Sequence, residues 1–147
     1  MTEASAQKRS LQSPSAPATV ADVMRPSVTT AEQDGHLAAA AFLMRRGRAT
    51  ALVVLEDETT KRPIGLITEA DVVHAVADGK DVNDVRIRDV MTRHPTVINA
   101  RTSIRDAAES MMAGHFRHLP VVGGDAGLIG MVDIRDVCRA LLDLSTG

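Results

Sequence analysis

Three separated blocks of this chain occur twice in the same order, and that constrains the fold more than any other feature. Asp22-Val23-Met24 returns 67 residues later as Asp89-Val90-Met91. Ala40-Ala41 and Gly47 return at the same spacing as Ala107-Ala108 and Gly114. Ile64-Gly65-Leu66-Ile67 with Asp71-Val72 returns 65 residues later as Ile129-Gly130-Met131-Val132 with Asp136-Val137. The two-residue loss falls where a loop is expected: residues 56–63 lie between the strands of the first copy, and the tighter 123–127 between those of the second. Ordered repetition of this kind means one supersecondary unit made twice. A unit of about sixty residues buries a small share of its surface alone, so the two copies are expected to pack sheet to sheet.

Each copy reads as β-α-β-β-α. A short segment ending at Met24 or Met91 leads through Pro26 or Pro95 into a brief extended run, 27–30 or 96–99. Asp34 and Ser103 are the expected N-caps of a first helix, whose apolar side is Leu37, Ala40, Ala41 and Met44, or Ile104, Ala107, Ala108 and Met111. Gly47 and Gly114 stand where a left-handed C-terminal cap belongs. Two continuous apolar runs follow in each copy, 51–55 with 64–68 and 119–122 with 128–132, and continuous runs predict strands covered on both faces. A second helix is expected over 69–77 and 134–142. The fold class is therefore α+β, with repeats over 20–77 and 89–142 joined by a linker over 78–88. Residues 1–19 are low in complexity and are expected to form a disordered lead, and 143–147 a tail.

Composition narrows the function. Lys+Arg 17 against Asp+Glu 19 gives a net charge of −2, which supplies no field for a phosphate backbone despite the cluster Arg45, Arg46 and Arg48. The aromatic residues are Phe42 and Phe116 alone, too few for a stacking platform, so nucleic acid is not an expected partner. No apolar run approaches a membrane span, and 1–20 lacks a cleavable-signal pattern, so no membrane partner and a cytoplasmic location are expected. Cys138 is the single cysteine; it is expected to be a small buried residue and excludes an internal disulfide. The methionines, among them Met24, Met44, Met91, Met111 and Met112, read as core fillers. His115 and His118 form H-x-x-H, but no third ligand stands near them in sequence, and no metal is expected.

The block Asp-Val-Met, then Pro and Val, then a helix ending at glycine, then IGLITEADVV and IGMVDIRDVC, resembles a tandem pair of cystathionine β-synthase (CBS) domains over about Val20 to Leu142. The chain is similar to small stand-alone members of that family. The resemblance implies two repeats related by a pseudo-two-fold axis, with clefts that hold adenosine-type ligands: AMP, ADP, ATP or S-adenosylmethionine. It also implies a homodimer of two such pairs and a regulated partner protein that reads ligand-dependent shape. It implies no catalysis, and neither a nucleophile nor a general acid/base set is visible, so the chain is not expected to be an enzyme and needs no cofactor.

Site residues follow from the same resemblance. Thr68 and Asp71 match the family's Thr-x-x-Asp motif, with Asp71 accepting from ribose hydroxyls and Thr68 beside the helix amides at a phosphate. The same two residues also make a capping box, which would account for them with no ligand. In the second copy Asp136 matches Asp71, but Asp133 replaces the threonine and sets a negative charge where a phosphate would lie, making the Asp71 site the better candidate. Arg117 and His118 are candidate phosphate cations, or else the basic tip of a solvated loop. With so few rings, an adenine would need aliphatic walls, for which Val97, Val121 and Ile129 are candidates. The competing function is a homodimeric scaffold or partner-binding protein without a bound ligand.

Overall fold

The computed structural model describes residues 19–146. All of the expected disordered lead except Thr19 lies outside the described residues. A 3-10 turn at Val20–Asp22 opens the described chain. It is followed by β1 (Thr30–Ala31), α1 (Leu37–Gly47), β2 (Ala51–Leu55), β3 (Pro63–Thr68), α2 (Glu69–Ala77), the single turn α3 (Ile87–Val90) and β4 (Thr92–Arg93). The second half runs β5 (Ile98–Asn99), α4 (Ile104–Gly114), β6 (His118–Val122), β7 (Leu128–Asp133) and α5 (Ile134–Thr146).

The strands form two sheets, ordered β1-β2-β3-β4 and β5-β6-β7. In both, the first strand runs parallel to the second and the second antiparallel to the third: Ile98 pairs with Val121 as Ala31 does with Val54. The sheets meet face to face on Ala51, Val53, Leu55 and Met131, with Val28, Leu66 and Leu128 packed around them. That is why β2 is buried along its whole length: one face meets the other sheet and the other meets its own helices.

The leaders cross between the halves. Val20 is fully buried, in the core of the second half with Ile104, Met111, Leu119 and Val121. Ile87, 1% exposed, lies in the core of the first half with Leu37, Leu52, Val54 and Ile67. The backbone repeats the exchange in pairs. Val20 N–H donates to Thr102 carbonyl (2.8 Å), as Ile87 N–H does to Gly35 carbonyl (2.8 Å). Arg25 bridges Met131 antiparallel, as Thr92 pairs with Leu66. These matched contacts are the pseudo-two-fold relation between the repeats.

Several local expectations are corrected. Asp34 is not an N-cap: α1 begins after His36, which makes no side-chain cap, and the first helical amides of Leu37 and Ala38 donate instead to the carbonyls of Val85 (2.9 Å) and Val82 (2.8 Å). Asp34 pairs with Arg88. Ser103 does cap α4, accepting from Asp106 N–H at 3.0 Å. The left-handed residues are Arg48 (φ 52°) and His115 (φ 58°), one beyond each glycine. Gly47 and Gly114 are there for close approach: a Cβ on Gly47 would lie 3.0 Å from Thr29 Oγ1, and one on Gly114 would overlap the Phe116 ring. Cys138 is exposed and Met112 is 74% exposed, both on outward helix faces, whereas Met44, Met91 and Met111 are core residues as expected. The last helix continues to Thr146, past the expected end at Leu142. Among the described residues no helix is long and apolar enough to cross a membrane.

Candidate functional site

Two helix N-termini, those of α2 and α5, open onto one cleft of about 810 Å³. The local sequence puts them there. Thr68 and Asp133 end the antiparallel strands β3 and β7 in extended backbone, and Glu69 and Ile134 are tied by matching bonds to the carbonyls of Thr50 (3.0 Å) and Arg117 (2.8 Å). Thr68, Glu69 and Ala70 line one wall; Asp133, Ile134 and Arg135 line another. Thr92, His94, Pro95 and Thr96, from the crossed second leader, close a third side, and residues 115–118 the fourth. The helix dipoles favour an anion at such a mouth, and of the first three amides of α2 only that of Ala70 has no protein acceptor among the described residues. Arg117 and Arg135 offset the carboxylates of Glu69 and Asp133 there.

The capping box expected at Thr68 is formed, and it leaves room for a ligand. Asp71 Oδ2 accepts from Thr68 N–H (2.8 Å) and Thr68 Oγ1 (3.1 Å), while Asp71 N–H donates back to Thr68 Oγ1 at 3.3 Å. Among the described residues every hydrogen bond to this carboxylate goes to Oδ2, so Oδ1 keeps its acceptor capacity. The cap and a hydroxyl-binding role are therefore compatible. Asp71 itself stands behind Thr68 and does not line the cleft.

The second copy differs. Asp136 is 7% exposed and both its oxygens are engaged: Arg25 Nε donates to Oδ2 (3.3 Å), Arg25 Nη2 to Oδ1 (3.4 Å), and Asp133 N–H to Oδ2 (3.3 Å). Asp133 Oδ1 accepts from the amides of Arg135 (2.8 Å) and Asp136 (3.0 Å), and its Oδ2 lies 3.5 Å from Arg25 Nη2. The hydrogen bond to Asp136 and the charges of Asp136 and Asp133 raise the Arg25 pKa above its ordinary value. Hydrogen bonds to charged groups contribute about 1.5–3 kcal/mol each, reduced here because half of the Arg25 side chain is in solvent. The Asp133 charge is thus shared with cations, which softens the repulsion expected of it toward a phosphate.

Among the other expected residues, Arg117 and His118 do line the cleft, and Arg117 has no ion pair among the described residues. Val121 is fully buried in the second core, and Val97 (39%) and Ile129 (40%) are exposed; none of the three lines this cleft. Among the described residues no group of three or more His, Cys, Asp or Glu side chains is arranged to hold a metal ion. Arg25, Thr92, His94 and Arg135 were not singled out from sequence. Setting the two copies in register would have found the first two, since Arg25 and Thr92 occupy one repeat position with opposite chemistry.

His118 joins the halves across the cleft floor, its Nε2 lying 2.7 Å from Thr50 Oγ1. Burial lowers its pKa below 6.5, and Arg117 and Arg135 push the same way against the pull of Asp133 and Glu69. A depressed folded pKa means the unfolded chain binds the proton first, so stability is lost as pH falls below about 6.5 and down through the folded value. His118→Gln, which keeps a polar partner for Thr50, is expected to flatten that fall. Urea midpoints at pH 7.5 and 5 for both chains check it; identical slopes would sink the assignment.

The match to known proteins decides the family. The model of the CBS domain matches residues 20–78 and again 87–143. The chain belongs to the CBS-domain family. As a CBS pair it is 37% identical over 124 residues to a 17.7 kDa protein of Acidianus ambivalens, covering 84% of this chain and 69% of that one. It spans between 61% and 69% of the length of three curated relatives. Among solved structures it is similar to CBSX2 of Arabidopsis thaliana, whose complex with AMP is 26% identical, with a TM-score of 0.71 and coverage of 86% of this chain and 98% of that one. A CBS domain protein of Pyrobaculum aerophilum complexed with AMP shares the fold at a TM-score of 0.79 and 23% identity, covering 88% and 99% of the two chains.

Proposed function

We propose that this CBS pair is a regulatory module that binds an adenosine nucleotide in the cleft between its repeats and passes the resulting change of shape to a partner. The observation that carries the reading is the α2 mouth: Thr68 and Ala70 face a cleft with an Arg117 that has no ion pair among the described residues, and Asp71 Oδ1 stands open behind them. A similar CBS pair solved with AMP supports the choice of ligand. Phosphate oxygens suit Arg117 and the Ala70 amide, and a ribose diol suits a carboxylate that still has an empty oxygen. Val97, Val121 and Ile129 would have to be reached by an adenine outside this cleft; Leu66, Pro95 and Phe116 are the apolar walls within it.

The test is calorimetric titration with AMP, ADP, ATP and S-adenosylmethionine. A ligand at about 100 times its dissociation constant should add ~2.7 kcal/mol of stability. Asp71→Asn keeps an oxygen for the cap but removes the charge, and is expected to weaken binding at least tenfold, with Asp136→Asn weakening it less. No stabilisation by any of the four at millimolar concentration would end the reading.

A second reading, assembly with another copy or a partner without ligand, is favoured by apolar side chains on the outward helix faces. Phe42 is 60% exposed on α1, Val73 62% and Val76 58% on α2, and Leu142 66% on α5. Light scattering on the titrated samples reads the assembly directly; a monomer with and without ligand would remove the homodimer.

A further inference from the structure

The two halves differ at one place that the repeat does not require. Asp71 stands with Thr68 and Thr92; at the corresponding positions Asp136 stands with Asp133 and Arg25. The backbone frames match, because Thr92 pairs with Leu66 on β3 while Arg25 bridges Met131, the counterpart of Leu66, on β7. The chemistry does not. Thr92 is a short neutral side chain on the cleft wall, and Asp71 keeps Oδ1 open. Arg25 reaches from the opposite leader and holds both oxygens of Asp136, with Asp133 beside it.

We infer that Arg25 is an internal counter-ion that decides which half of the module accepts a ligand: it fills the carboxylate of the second repeat, while Thr92 leaves that of the first open, so one chain takes one nucleotide. The inference rests on the proposed role of Asp71. A diol approaching Asp136 would have to displace a guanidinium fork that suits a carboxylate well. It would then leave two carboxylates, each less than 9% exposed, with only the longer cation contacts to Arg135 (3.9 Å) and Arg139 (4.0 Å). Neither obstacle exists at Asp71.

The experiment is calorimetry of the full chain with AMP, comparing stoichiometry in the wild type and in Arg25→Thr/Asp133→Thr. That double variant rebuilds the Thr68, Asp71 and Thr92 set in the second repeat and removes one buried carboxylate together with its cation. It is expected to bind one more AMP per chain than the wild type. A rise from one to two supports both the inference and the function. A rise from zero to one supports the role of Arg25 at Asp136 and overturns Asp71 as the open site. No rise in a double variant that keeps its circular dichroism overturns the inference. If the double variant does not fold, the exposed substitution Thr92→Arg decides: an AMP affinity lowered at least tenfold supports it, and an unchanged affinity overturns it.

Discussion

Replacing Ile87 with alanine is expected to lower the stability of the chain by about 2–5 kcal/mol, the range for deleting a buried aliphatic side chain and leaving its cavity. By sequence order Ile87 opens the second repeat. In space it is 1% exposed within the core of the first, beside Leu37, Leu52 and Ile67. The backbone prevents an easy collapse of the hole. Ile87 N–H is bonded to Gly35 carbonyl, Arg88 N–H to Gln33 carbonyl (3.0 Å), and the preceding loop supplies the carbonyls that cap α1.

The position of the loss distinguishes crossed leaders from uncrossed ones. Ile87→Ala combined with Leu37→Ala should depart from additivity by about 0.5–3 kcal/mol, because the two share a core. Combined with Ile104→Ala, in the other core, the effects should add. Urea unfolding of the three single and two double variants measures this, and coupling to Ile104 in place of Leu37 would reject the crossing. The same crossing makes either half incomplete alone, since the core around Ile104 and Leu119 needs Val20 from the far end of the chain.

What could be read from the sequence was what is local or repeated. The strand Ala51–Leu55 and the helix Glu69–Ala77 have the expected bounds, because an unbroken β-branched run and a threonine cap are signals within a few residues. The duplication also carried the fold class. The crossing was not legible, because the contacts that define it join residues such as Met24 and Gly130 that belong to no common period. The Asp34 cap failed for a related reason: distant carbonyls of Val82 and Val85 took the helix amides, and Asp34 was drawn to Arg88. At the candidate site, Thr68, Asp133, Arg117 and His118 were legible as motif and charge and are brought to one cleft. For Arg25, setting the copies in register marks only that it differs from Thr92; what it does shows when the structure sets it against a buried carboxylate at the other end of the chain.

Alanine at Gly65 and at Gly130 is expected to destabilise the chain unequally, and the inequality tests how each leader is seated. At Gly65 a Cβ would overlap the Met91 thioether, with the side chain's Cγ and Cε at 3.1 and 3.2 Å. Methionine is unbranched and adapts, so the cost should sit at the lower end of the range for overpacking, about 1 kcal/mol. At Gly130 a Cβ would lie 2.7 Å from Met24 Sδ and also 3.0 Å from the Arg25 carbonyl oxygen. That carbonyl accepts from Met131 N–H at 2.9 Å, and Arg25 N–H donates to the Met131 carbonyl at 2.8 Å, so the backbone is pinned and cannot give way. Gly130→Ala should therefore cost about 2–3 kcal/mol. Shortening the methionine separates the two cases. Met91→Ala opens the space above Gly65, so the double variant with Gly65→Ala should be less destabilised than the two single effects added. Met24→Ala should relieve Gly130→Ala only in part, because the Arg25 carbonyl remains. Equal relief in both halves, measured by urea midpoints across the two cycles, would mean that the first leader is held by its methionine alone and not by the Arg25 backbone pair.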